Sequence, residues 1–292
     1  MASLRDIRDR IDSVKNTQKI TSAMKMVSAA KLRKSQEAME QARPYSVELG
    51  GLLARLSARM QEEKNKVPHP LMKVRREVKR VMLVVMTSDR GLCGSFNTSI
   101  LRRAERFLRE NANRFEEIEI ATVGRKGFEY FGKRHVSTVT DHPGVFEDLT
   151  FRRALEIADG LSKAYMDDHL DGVYLLYNKF QSVMNQEIVL QDLLPIVQSE
   201  LPEGEEHDYL YEPDRFEVLE TLVPRHVAVC VWQALLESQA SEYGARMTAM
   251  DSATKNAGEL VDSLTLEFNR ARQAAITMEL MDIVGGAEAL NG

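Results

Sequence analysis

The sequence predicts an α/β domain flanked by two long helices that pair as an antiparallel coiled coil. Residues 3–43 contain neither Gly nor Pro, and their apolar residues recur at alternating spacings of four and three. The same spacing runs through the C-terminal part of the chain. Between the two, residues 76–195 alternate between strand-like and helix-like patterns, which is typical of a small domain with a mostly parallel sheet.

The N-terminal segment, residues 1–62, reads as one coiled-coil helix. Ser3 and Asp6 have the spacing of a capping box, which marks a helix start. The apolar seam begins at Leu4, Ile7, Ile11 and Val14. Between residues 18 and 28 this seam becomes polar, and we expect a parallel stripe to take over the contact. The stripe consists of Ile20, Met24 and Val27.

The C-terminal segment, residues 214–286, carries the clearer pattern. From Leu219 to Asp282, 15 of 19 positions at this spacing are apolar, Ala or Tyr. About 65 helical residues would extend roughly 100 Å, which exceeds the thickness of a globular core. Only the N-terminal segment is long enough to pair with such a helix. Because the two lie at opposite ends of the chain, an antiparallel arrangement is favoured.

The middle of the chain supplies the α/β domain. Strands are predicted at residues 78–87, 117–123, 171–178 and 186–193, with helices at 96–113, 124–134 and 149–168. An acidic connector, residues 196–213, leads to the second long helix. No apolar run is long enough to span a bilayer, so we expect membrane association only through a larger complex.

Composition and motifs point away from catalysis. The net charge of −5 argues against a nucleic-acid binder, and Cys93 and Cys230 have no metal-binding spacing. The loop at residues 87–97, TSDRGLCGSFN, follows a strand and precedes a helix, as phosphate loops do, but it lacks their glycine and lysine pattern. A structural thiol is favoured over a nucleophile for Cys93 because no His is near it in sequence. We therefore expect no catalytic residue, metal or cofactor.

Two charged segments leave alternatives open. Residues 15–34 hold six basic residues and no acid, whereas residues 200–220 hold nine acids and one basic residue. Both are compatible with ordinary solvated faces, or with a basic collar that passes acidic loops of a partner. Ala271, Ala274 and Ala275 likewise allow either a plain helix contact or close approach to a surrounding protein wall.

Long segments of the sequence resemble a known family. They are residues 7–36 (IRDRIDSVKNTQKITSAMKMVSAAKLRKSQ), the loop 87–97, 209–213 (YLYEP), 241–257 (SEYGARMTAMDSATKNA) and 268–290 (FNRARQAAITMELMDIVGGAEAL). Together with the order of strands and helices between them, they resemble the gamma subunits of bacterial ATP synthases over essentially the whole chain. The charged start of the sequence favours a bacterial member over an organellar precursor.

The resemblance implies a non-catalytic central-stalk rotor. Such a shaft couples proton translocation through a membrane ring to ATP synthesis or hydrolysis in a surrounding hexamer. The implied partners are the alpha and beta subunits, the epsilon subunit and the c-subunit ring. The implied location is the cytoplasmic face of a bacterial cell membrane, as a peripheral part of the complex.

The resemblance also assigns contact residues. Those implied to meet the hexamer are Met24, Lys25, Arg246, Gln273, Thr277 and Glu279, with Met24 and Lys25 beside acidic loops of the beta subunits. Those implied to form a foot on the c ring are Tyr209, Tyr211 and Glu212. Two other classes remain as alternatives: an α/β enzyme with a coiled-coil arm, and a coiled-coil adaptor that forms homodimers.

Overall fold

The computed structural model describes residues 3–64, 69–134, 138–196, 212 and 214–291. These residues form two compact units. Residues 1–28 and 247–292 make up the first, which we call the two-helix unit, and residues 29–246 make up the second, the sheet unit. None of the helices in the described ranges is long and apolar enough to cross a membrane.

The two predicted long helices are present, and each contributes to both units. Helix α1 spans Leu4–Lys64 and helix α5 spans Arg215–Asn291. The predicted capping box starts α1: the Ser3 backbone N–H donates to Asp6 Oδ2 at 3.0 Å, and the Asp6 N–H donates to Ser3 Oγ at 3.2 Å. Asp214 caps α5 by accepting the backbone N–H groups of Phe216 and Glu217 at 2.7 and 3.0 Å.

The helices of the two-helix unit are antiparallel, which confirms the prediction. Near the start of α1, Ile7 and Ile11 pack with Leu264 of α5. Further along α1, Thr21 Oγ1 lies 2.8 Å from Thr254 Oγ1. Residue numbers therefore rise along α1 while they fall along its partner.

The prediction that a stripe of Ile20, Met24 and Val27 takes over the helix contact in α1 is wrong. Ile20 and Val27 are 60% and 55% exposed, whereas Thr21 and Ser28 are buried. Both buried hydroxyls donate hydrogen bonds within their own helix. Thr21 donates to the Gln18 carbonyl at 3.0 Å, and Ser28 donates to the Met24 carbonyl at 2.8 Å. The original seam therefore continues as a row of small polar residues.

The sheet unit contains five strands in the order β3-β2-β1-β4-β5. They are β1 (Arg80–Met86), β2 (Glu117–Val123), β3 (Thr138–His142), β4 (Gly172–Phe180) and β5 (Gln186–Leu194). The first four are parallel and β5 is antiparallel to β4, which confirms the mostly parallel sheet. Strand β3 was not among the predicted strands, because this short edge strand is polar and never fully buried.

Both faces of the sheet are covered. Along β1, Val81, Leu83 and Val85 point into an apolar layer with α2 (Phe96–Asn111) and α3 (Arg125–Gly132). The alternate residues Met82, Val84 and Met86 point into the opposite layer, which includes α4 (Phe151–Met166) and the first turns of α5. In this unit α1 also lies along α5, where Ser35 Oγ donates to Gln239 Oε1 at 3.0 Å.

Replacing Gly124 by Ala should destabilise the sheet unit. Gly124 has φ of 93°, and an added Cβ would lie 2.1 Å from the Thr87 carbonyl oxygen. Strained backbone and overpacking together predict a loss of at least about 2 kcal/mol of unfolding free energy. Gly132→Ala is the matched control, since an added Cβ there meets no atom within 4 Å. Thermal unfolding of both variants checks this, and an equal effect of the two would contradict it.

Candidate functional site

The last part of α5 is an exposed apolar segment, which we call the tip and define as residues 272–286. All of its residues are exposed. The cluster in which α1 packs on this end of α5 includes Ala271 as its last member, so the tip follows the paired part of the helix. Its large apolar side chains are Ile276, Met278, Leu280, Met281, Ile283 and Val284.

The apolar residues of the tip cover more than half of the helix circumference. At 3.6 residues per turn, these six positions span an arc of about 220°, while Arg272, Glu279 and Asp282 lie in the remaining sector. An apolar stripe that packs on one neighbour is typically little more than about 100° wide, and exposed apolar patches of this kind mark interaction sites. The geometry therefore fits a helix end that is enclosed by other protein surfaces.

Three of the predicted contact residues lie on this tip. Gln273, Thr277 and Glu279 are exposed there, and Thr277 Oγ1 donates to the Gln273 carbonyl at 2.9 Å. This hydrogen bond lies within one helix turn. Gln273 and Glu279, together with the charged Arg272 and Asp282, give this surface directional groups, which in interfaces fix register more than affinity.

Met24 and Lys25 lie in the two-helix unit, where Lys25 bridges the two helices. Its Nζ is 2.6 Å from Asp251 Oδ1, and Lys255 Nζ is 3.0 Å from Asp251 Oδ2. The hydrogen bond from Lys25, followed by that from Lys255, lowers the pKa of Asp251 below its ordinary value. Met24, the residue before Lys25, is half-buried. Lys25 is thus partnered within the chain.

Arg246 has a different setting from the other predicted contacts. It lies in the sheet unit and is only 8% exposed. One guanidinium nitrogen is 2.7 Å from Glu242 Oε1, and another donates to the carbonyls of Arg90 and Gly91 at 3.2 and 3.1 Å. The structure therefore brings Arg246 together with the loop at residues 87–97. A hexamer contact for this residue stays a prediction.

No sequence pattern predicted the role of Asp89 in this loop. Asp89 is buried, and its carboxylate accepts three backbone N–H groups: those of Arg125 and Gly144 at 2.8 Å each, and that of Phe146 at 2.9 Å. These donors follow β2 and β3, so one side chain ties three strand ends together. Its position just after a buried strand was the only signal in the sequence.

Other polar groups of the loop bond within it. Asn97, at the start of α2, accepts the Ser88 N–H at 2.9 Å and donates to Ser88 Oγ at 2.7 Å. Cys93 is buried, and desolvation raises the pKa of its thiol. This setting fits the structural thiol that the sequence favoured. Within the described ranges, no group of three His, Cys, Asp or Glu side chains is arranged to hold a metal ion.

The predicted foot can be located only in part. Tyr209 and Tyr211 lie outside the described residues, and so does most of the acidic connector. Glu212 is described and is exposed.

A cavity of about 450 Å³ lies in the sheet unit between α1, β4 and α5. Glu237 lines this cavity and is buried, and its Oε1 accepts from Gln233 Nε2 at 3.4 Å. Its Oε2 has no hydrogen-bond partner. Burial raises the pKa of Glu237 because the charged form is poorly solvated there.

Comparisons with known proteins agree with each other. A family model described as "ATP synthase" matches residues 3–290. The ATP synthase gamma chain of Anaeromyxobacter sp. (strain Fw109-5) is 52% identical and is covered over 99% of this chain and 100% of its own length. The ATP synthase gamma chain of Geobacter metallireducens is also 52% identical, with full coverage of both chains.

Solved structures show the same fold. A chain of the central stalk and c-ring of the Tetrahymena thermophila mitochondrial ATP synthase has a TM-score of 0.62 and 26% identity, over 80% of this chain and 99% of that chain. A chain from the OSCP/F1/c-ring structure of the Euglena gracilis mitochondrial ATP synthase has a TM-score of 0.69. At 19% identity, over 98% of this chain and 94% of that chain, the second likeness supports the fold alone.

Glu237→Gln should stabilise the protein near pH 7. Because burial raises the folded-state pKa above the ordinary value of 4.5, the unfolded chain ionises first as the pH rises. Stability from this residue is therefore present below that value and is lost above it. We expect the variant to melt roughly 2–4 °C higher at pH 7, for a gain of about 1 kcal/mol, and to match the parent near pH 4. The exposed Glu259→Gln on the same helix is the control, and an equal gain there would contradict the assignment.

Proposed function

The chain belongs to the ATP synthase gamma-chain family, and from this premise we propose how it works as the central-stalk rotor of a rotary ATP synthase. Its tip turns inside a hexamer of alpha and beta subunits, and its other end meets a c-subunit ring. Rotation couples proton translocation to ATP synthesis or hydrolysis. The chain itself is a non-catalytic, torque-transmitting subunit.

The observation that carries this proposal is the apolar tip. Fifteen consecutive residues, 272–286, are exposed, and their large apolar side chains cover an arc of about 220° around the helix. Partner surfaces on more than one side of the helix can cover such an arc, whereas a single flat partner would cover only part of it. The similar Tetrahymena thermophila chain comes from a central stalk, which supports the same placement.

Asymmetry gives the shaft its effect on partner sites. Two paired helices have no three-fold axis, so they present a different face to each of three otherwise equivalent catalytic sites. Each face stabilises one conformation of the site, and turning the shaft changes which site is stabilised. A ligand or partner shifts such an equilibrium only by its differential interaction energy.

The required energy explains why many contacts must act together. Moving a site from mostly open to mostly closed takes about 5.5 kcal/mol. A single allosteric contact typically supplies about 1–3 kcal/mol. We propose that Gln273, Thr277 and Glu279 add polar contacts to the apolar tip, with Met24 and Lys25 meeting acidic beta-subunit loops farther along the rod.

The remaining partners follow from the family. We propose that the epsilon subunit binds beside the sheet unit and that Tyr209, Tyr211 and Glu212 form the foot on the c ring. In a bacterium this puts the chain at the cytoplasmic face of the cell membrane, held there only through the complex. The relatives of similar length and 52% identity are bacterial gamma chains, which supports the bacterial setting.

Removing residues 281–292 should weaken coupling without unfolding the sheet unit. The side chains of residues 281–286 are exposed, so their loss opens no cavity in the chain. We expect the sheet unit to melt within about 2 °C of the parent, a shift that corresponds to less than roughly 1 kcal/mol. ATP-driven proton pumping by the reconstituted complex should fall.

The control for this truncation is Met184→Ser, which removes an apolar side chain that is 81% exposed in the sheet unit. We expect it to leave both melting and pumping unchanged. Melting of the whole chain on truncation would contradict the proposed architecture. Dissociation of a homodimer on truncation would favour the coiled-coil adaptor instead.

A further inference from the structure

We propose that Arg246 is a positioning residue that fixes α5 to the strand ends of the sheet, so that torque passes between them at this point. We call the arrangement the joint and define it as Arg246, Glu242, Asp89 and the loop 87–97. The inference rests on the proposed rotor function. It differs from the hexamer contact that the resemblance implied for Arg246.

The guanidinium of Arg246 makes the first connection. It is paired with Glu242 at 2.7 Å and donates to two successive loop carbonyls, those of Arg90 and Gly91. Nη1 faces Glu242 and Nη2 donates to both carbonyls, so one planar group holds acceptors on two nitrogens, a geometry that Arg offers and Lys does not. Glu242 is buried as well, so the pair is enclosed by protein.

Asp89 makes the second connection, from the loop to the sheet. Its three accepted N–H groups follow β2 and β3, while Asp89 itself follows β1. Displacing the loop would therefore break charge-assisted hydrogen bonds at three strand ends at once. One helix turn before Arg246, Ser241 Oγ donates to the Asn178 carbonyl of β4 at 3.0 Å. Four parallel strands are thus tied to residues 241–246 of α5.

The position of the joint along α5 matters. The large apolar core that includes α5 has Leu235 as its last member on this helix. Apolar contacts are non-directional and allow small sliding movements, whereas oriented hydrogen bonds fix register. The joint lies just beyond the apolar core and is the last set of such bonds from α5 to the sheet among the described residues of this unit. It therefore fixes the register of the last turns of α5 in this unit against the sheet.

The first test measures whether Arg246 holds the loop. Cys93 lies inside the loop and is 2% exposed, so labelling of its thiol by a maleimide reports loop opening. A Cys230→Ser background removes the only other cysteine. In the isolated full chain, we expect Arg246→Gln to speed labelling about tenfold, which equals roughly 1.4 kcal/mol of easier opening. Arg246→Lys should lie between this variant and the parent, and the exposed Arg270→Gln on the same helix should match the parent.

The second test measures coupling in the reconstituted complex. We expect the protons pumped per ATP hydrolysed to fall in Arg246→Gln, and to fall less in Arg246→Lys, while nucleotide binding is unchanged. If Arg246→Gln does not fold, Arg246→Lys carries both measurements. Lost coupling with unchanged Cys93 labelling would overturn the joint in favour of a direct hexamer contact, and would leave the rotor function standing.

Two other outcomes also overturn the joint. Faster labelling with normal coupling would show that the loop is held but carries no torque. No change in either measurement would show that Arg246 does not position α5. The proposed function fails by a separate result, namely normal pumping by the chain truncated after Leu280.

Discussion

The antiparallel pairing of α1 with α5 stops before α5 ends, and this mismatch in length governs the rest of the structure. Ile7, Ile11 and Leu264 form the last apolar cluster between the two helices. Beyond it, α5 continues as a tip whose apolar side chains have no cover within the described chain. Exposed apolar surfaces of this kind mark sites of contact with other proteins.

Polar contacts complement this apolar construction. A seam of Thr21 and Ser28 keeps the helices of the two-helix unit in contact with small side chains, and Lys25 bridges them through Asp251. In the sheet unit, Arg246 and Asp89 connect α5 to the strand ends through one loop. A rotor needs a defined register as well as stability, and directional bonds at a few positions supply it where apolar packing does not.

Sequence patterns predicted most of the elements but not the places where they meet. The long helices and the mostly parallel sheet follow from local periodicity, which the residues of each element carry themselves. Strand β3 was not predicted because a short polar edge strand has no apolar periodicity. The contact between Arg246 and the loop joins residues about 150 positions apart, and nothing in either segment alone specifies it. The stripe of Ile20, Met24 and Val27 was wrongly predicted to take over the contact. Small hydroxyl side chains can be buried instead, because they donate hydrogen bonds to carbonyls of their own helix.

Single-particle imaging of the intact complex tests the central claim most directly. The account predicts that residues 272–286 lie on the axis, enclosed by a ring of partner subunits, and that separate particle classes show the chain in three rotational positions. A tip that lies in solvent, or a chain at the edge of the assembly, would contradict it.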